Sequence, residues 1–421
     1  MATRRWRGDA VAIAQVDTLT PGGTIGTATF TMTINGKDVT YTATSGEAVA
    51  MVVAGLVAAW NASEIPEFAE ITAVNSTTHV TLTHDTKGVP FTVTSSASGS
   101  ATLVQATTTS ATGPNHFDNA DNWTGGAVPV DSDAVVFDSG NVSCKYGISQ
   151  AALTPASLTI TQGYTGEIGL PEVNVTNVVG HYREYRTKAL TICASGDSIN
   201  TAVRIGEGDG VGSGRLRLNF NTGQITATII NSGQRALEGE PAIQIQGTHA
   251  SNEFNVMRGD VGFGFFAGET TTIATLRVGW INNQIGDARV ETGSDVGTIT
   301  TLEQSGGELT RRSATTTFDM TGGICHYIAG NITTMSLDSG QVFYLGTGTI
   351  TTLNLGSGAD IDFRRDMRNR TVTNANFYEG FAVHDPFGTV TWTNGIDFIR
   401  TTPADGTFEV PPNLTWTPSA I

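Results

Sequence analysis

The 421-residue chain carries a formal net charge of −16, and its charged residues make up only 15% of the total. That balance excludes a general nucleic-acid binder, which needs a cationic face, and no segment approaches the ~20 apolar residues of a membrane-spanning helix. Its 50 glycines, against a usual share of about 7%, combine with abundant Thr and Ser to predict a mainly β chain with many tight corners.

Residues 1–20 read as a basic N-terminal arm. Arg4, Arg5 and Arg7 cluster around Trp6 in a chain otherwise poor in cations, and such an arm would dock on the acidic surface of another subunit. Arg4, Arg5, Trp6 and Arg7 are therefore candidate interaction residues. Positive charge without a following apolar run predicts a chain made without an export signal. Residues 21–95 predict a small α+β anchoring module. Thr29 to Met32 and Val39 to Thr42 flank Asn35-Gly36, a two-residue hairpin signal. Thr44-Ser-Gly-Glu47 has the form of a capping box, and Val49, Val53, Leu56 and Trp60 follow on one helical face. Two strands, 70–75 and 79–83, and a further run, 89–94, complete a sheet on which His79 and His84 are expected to be exposed. Residues 96–114 have the Ser, Thr and Gly composition of a linker, although 101–107 also suit a strand.

The next stretch begins at His116. It contains Asn122-Trp123, Gly125, Val128-Pro129, Asp133 and Val135-Val136-Phe137. This pattern resembles the opening phrase before β-solenoids in bacterial autotransporter-like and planctomycete surface proteins. The resemblance implies that Trp123 covers the open end of a core. Asp118, Asp121, Asp131, Asp133 and Asp138 are oxygen donors for calcium in principle, but their spacing fits no defined loop. Between candidate strands, Tyr182, Arg183 and Tyr185 mark a contact loop.

A short phrase then repeats. Thr298-Ile-Thr-Thr-Leu302, the degenerate Ala314-Thr-Thr-Thr-Phe318, Asn331-Ile-Thr-Thr-Met335 and Thr349-Ile-Thr-Thr-Leu353 start 16, 17 and 18 residues apart. β-Branched content and Gly-containing corners predict strands rather than helix. Stacked at ~4.8 Å, Leu302, Phe318, Met335 and Leu353 would form one interior ladder. Ile273, Ile299, Ile332 and Ile350 would form another, and Ile324 to Ile328 and Val342 to Leu345 supply a second strand per turn. The expected fold is a β-solenoid over 115–400, with 401–421 as a C-terminal cap or tail. Arg364, Arg365, Arg368 and Arg370 are candidates for contact with an acidic partner, sugar or phosphate.

No catalytic, cofactor or metal constellation stands out: the repeats carry Thr, Ser, Asn and Gly where a glycan-cleaving solenoid needs carboxylates. Cys144, Cys193 and Cys325 lack disulfide or metal spacing and are expected to be buried free thiols. In its arm, module and Gly/Thr-rich repeats the chain resembles structural proteins of tailed phages: head decoration proteins, tail components and fibres. That resemblance implies a non-enzymatic virion protein, homo-oligomeric and trimeric by analogy, with capsid or tail subunits as partners and a host-surface glycan as a candidate ligand. It implies no membrane, no sequence-specific nucleic acid and no cofactor. A bacterial surface fibre or adhesin, extracellular or at the cell surface, and a polysaccharide-cleaving solenoid are the alternatives.

Overall fold

The computed structural model describes residues 1–170, 189–193, 200–233, 239–281, 284–285, 287–402 and 405–409. Two long parallel sheets dominate it, with 14 and 11 strands among the described residues. Through the repeats the chain alternates between them: Ile299–Gln304 in the first, Glu308–Arg311 in the second, then Thr315–Met320 and Ile324–Tyr327. Such alternation places residues one repeat apart directly over one another. Leu276 pairs with Leu302, Leu302 with Phe318, Phe318 with Met335, and Met335 with Leu353. All five are fully buried. Ile299, Thr315, Ile332 and Ile350 form the adjoining column.

Thr315 explains why its copy is degenerate. Arg311, in register with Tyr327 and through it with Tyr344, is fully buried between the sheets. Its guanidinium donates to the carbonyls of Gly297 and Ala314 and, at 3.4 Å, to the Thr315 hydroxyl. Burial pushes Arg311 down to about 10, because a charge removed from water needs every local acceptor. An isoleucine at 315 would leave the guanidinium without one of them.

The N-terminal residues do not form an arm. Thr3–Arg5 is a strand of the first sheet, pairing with Ala134–Phe137. Trp6 is 2% exposed and packs against Trp123 and Phe137, with ring centroids 5.1 and 5.6 Å away. A short β run ending in an aromatic suits an unfilled sheet edge, and burial of the indole outweighs the pull of its cationic neighbours toward water. The chain therefore begins in the parallel stack, leaves it to build the α+β module, and returns. Outgoing and incoming segments are tied by Ile13 and Thr112, whose backbones exchange hydrogen bonds of 2.7 and 3.3 Å.

The module holds a four-stranded sheet, ordered Ile71–Asn75, Val80–His84, Val16–Gly23, Ala101–Thr109, and a three-stranded one, ordered Lys37–Thr42, Thr29–Ile34, Thr94–Ala97. Residues 16–20 and most of the expected 96–114 linker are thus sheet strands, antiparallel to each other. Composition misleads there because Thr suits a half-exposed strand as well as it suits a linker. The hairpin turns at Asn35-Gly36, with φ of 53° and 67°, the signs of a type I′ turn. The helix spans Val49–Asn61 and buries Val52, Val53, Leu56 and Trp60. Its N-cap is Ala48, without a side-chain cap. Thr44 and Glu47 do bond to one another, but Gly46 between them has φ +83°, a left-handed conformation that no helical first turn accommodates. His84 is buried rather than exposed, and its Nδ1 accepts from the Thr86 N–H.

Each region has its own core. One apolar cluster runs from Trp6 through the parallel stack to Ile396, and a second, from Leu19 to Leu103, fills the module.

Candidate functional site

Because side chains alternate across a strand, the residues between the buried ladders form rows on the outside. On the first sheet Thr275, Thr301, Thr317, Thr334 and Thr352 stand in register. Beside them Asn354 donates to Ser336, and Asn376 to Asn354, at 3.2 and 2.8 Å. In the same row Arg277 pairs with Glu303 at 2.7 Å, and from Asp319 onward the face is polar and short-chained.

The second sheet differs. Its outer row reads Thr310, His326, Phe343, Asp362, His384 and Glu409 in register. The His326 and Phe343 rings stack at 5.1 Å and 13°, and Arg365 lays its guanidinium over Phe343, 3.4 Å from the centroid. His326 also lies 3.4 Å from Glu308. One step further, Arg364 joins Asp362 at 2.9 Å and Glu409 at 3.5 Å, while His384 lies between Asp360 and Glu409. Burial works against ionisation of Asp362, but hydrogen bonds and charge from Arg364 hold its carboxyl below the usual range.

The four arginines of the 364–370 loop have separate fates. Arg370 is buried and donates to the Tyr344 carbonyl at 2.6 Å and to the carbonyls of Asp366 and Arg368. It closes the loop and is withdrawn from solvent. Arg368 pairs with Asp366 two residues back, and its side-chain hydrogen bond, aided by its backbone N–H, draws that carboxyl down to about 2. Arg364 is shared between two carboxylates. Arg365, exposed and stacked on Phe343, has no acidic partner among the described residues, which leaves the edge of its guanidinium for an outside acceptor.

At the other end, Arg4 pairs with Asp133 at 3.2 Å and Arg5 pairs with Asp138. With Trp6 buried, three of the four expected interaction residues there are occupied within the chain, and Arg7 is left exposed. Tyr182, Arg183 and Tyr185 lie outside the described residues. Trp123, 2% exposed, packs edge-on to Trp6 and Phe117. Of the aspartates weighed for calcium, Asp133 receives the N–H of Ala2 and Val130, Asp138 receives Arg5, and Asp131 receives the Thr154 N–H. Among the described residues no group of three or more His, Cys, Asp or Glu is placed to hold a metal ion.

Motif spacing alone missed the outer row of the second sheet. A signal existed: His326 and Phe343 lie 17 residues apart, near the offset that aligns the buried ladder. Extending that offset to the polar positions between the apolar ones brings them together. No known protein family, curated protein or solved structure matches the chain.

Proposed function

We propose that the chain is a non-enzymatic structural protein of a tailed-phage particle, a β-solenoid scaffold that decorates the head or builds a tail or fibre component as a homo-oligomer, a trimer by analogy. The observation that carries this reading is the unbroken register of buried residues from Leu276 to Leu353, one per layer. Stacking of this kind supplies stiffness, and a stiff rod with an inserted globular module suits attachment at one region and projection from another. The exposed Arg365, held over the buried Phe343 ring with His326 stacked on it, favours contact with a host-surface ligand such as a glycan, the feature this reading shares with its alternative, a bacterial surface adhesin.

Electron microscopy of the purified chain, paired with immunogold labelling of phage particles from a producing lysate, tests the proposal. Rods of uniform width and label at one particle location are expected. Label on bacterial surfaces with none on particles would refute the virion assignment in favour of the adhesin.

A further inference from the structure

The chain crosses between the parallel stack and the α+β module twice, outward after Trp6 and back before His116, and the two crossings lie side by side where Ile13 bridges to Thr112. Parts joined only by such a pair of segments swing about it, and relative motion is the ordinary expectation for linked domains. Two buried polar side chains oppose that motion here.

Asn122 has no exposed surface. Its Oδ1 accepts from the Ala10 N–H of the outgoing segment at 2.9 Å, and its Nδ2 donates to the Gly113 and His116 carbonyls of the incoming one at 2.8 and 2.7 Å. Its own carbonyl accepts from the Arg7 N–H at 2.8 Å. Only an amide offers donor and acceptor together from so short a side chain. The next residue, Trp123, belongs to the core of the stack, so the pair fastens both crossings to its first layer.

The other contact comes from a segment that belongs to neither crossing. Gly88, in the turn after Val80–His84, accepts at its carbonyl from His116 Nε2 at 2.8 Å, and its N–H donates to the Ile13 carbonyl at 3.0 Å. A carbonyl only accepts, so Nε2 carries a proton whether or not the ring is charged. His116 is 5% exposed and is seated on the stack, with its backbone bridged to Tyr146 and the two rings 5.2 Å apart. The fit is close: a Cβ at Gly113 would come within 3.1 Å of Ala12 Cα.

We infer that module and stack move as one rigid body, with Asn122 and His116 as the positioning residues of the joint. Three segments fixed at separate points leave no free axis of rotation, and bonds between buried polar groups are costly to break. Whatever holds the module therefore sets the direction in which the stack points. This inference is independent of the scaffold proposal.

Spin labels at Val74→Cys in the module and Val130→Cys in the stack, both exposed positions, measure the distance distribution between the two parts in the full chain, whose native cysteines are buried. One narrow peak is expected without further change. His116→Phe keeps a ring against Tyr146 but cannot donate to Gly88. Asn122→Asp keeps an acceptor for Ala10 but loses both donations. Each is expected to broaden the peak and to lower hydrogen-exchange protection of the Ile13 and Gly88 amides about fivefold, the effect of one lost hydrogen bond. Protection over 29–34 and 299–304 is expected to stay unchanged, which separates a loosened joint from an unfolded part. A broad or multiple distribution in the chain with neither joint substitution overturns the rigid joint, as do folded variants that keep a narrow peak. Should a variant lose protection in both cores, the width measured without it decides alone.

Discussion

Phe318→Ala probes the stacked core most directly. The ring has no exposed surface and lies in register between Leu302 and Met335. Its strand is hydrogen-bonded to parallel neighbours on both sides, Ile299–Gln304 and Ile332–Leu337. Those ladders hold the layer spacing, so the space left by the ring cannot close by collapse. The cost should therefore fall in the upper part of the usual range for Phe to Ala, about 4–5 kcal/mol. Thr316→Ala, two residues away and exposed, should stay within about 0.5 kcal/mol. Adjacent layers should also couple: combining Phe318→Ala with Leu302→Ala should depart from additivity by about 0.5–3 kcal/mol. Leu302→Ala with Leu353→Ala, three layers apart or about 14 Å at the normal strand spacing, should add. Denaturant unfolding, with hydrogen exchange over 299–355 to detect uncoupling of layers, measures both. A Phe318→Ala cost below about 1 kcal/mol, or strict additivity of the neighbouring pair, would refute the stacked-core argument.

Trp6→Ala should destabilise the first layer by about 3–5 kcal/mol, since it removes a ring packed on Trp123 and Phe137 and the indole bond to the Val142 carbonyl; an unchanged unfolding midpoint would return residues 1–6 to the status of a loose arm. The Asp133 carboxyl is held below its usual range, chiefly by the Ala2 N–H and also by Val130 and Arg4. A depressed carboxylate contributes stability that is present above its unfolded value of about 3.9 and lost as pH falls through the folded value. Proteolysis of the N-terminal strand should accordingly rise on acidification below pH ~4, and Asp133→Asn should remove that dependence. Burial pushes the Cys144 and Cys325 thiols well up and Cys193 to about 11. All three should resist maleimide in the native chain and react in denaturant; labelling of any of them before unfolding would contradict its burial.

The ladder was legible in the sequence because a stack of layers demands an apolar residue at nearly the same place in each turn, and Leu302, Phe318, Met335 and Leu353 recur 16, 17 and 18 residues apart. The hairpin at Asn35-Gly36 and the apolar helix face were legible for the same kind of reason: each rests on neighbours within a few residues. What composition obscured was long-range. Arg4 and Arg5 look like an unattached basic tail until Asp133 and Asp138, more than a hundred residues on, are brought beside them. Thr315 looks like decay of the repeat until Arg311 is seen against it.

The sequence by itself determined that this chain is mainly β, where its apolar ladder falls, and that its charge is acidic, since strand propensity, repeat spacing and ionisation are properties of residues and short windows. Only the tertiary structure decided that the first strand of the stack precedes the module, that Arg370 is spent inside while Arg365 is left outside, and that His384 meets two carboxylates. The physical reason is that pairing between distant strands and the burial of a charge depend on which surfaces meet, and no local window contains both partners.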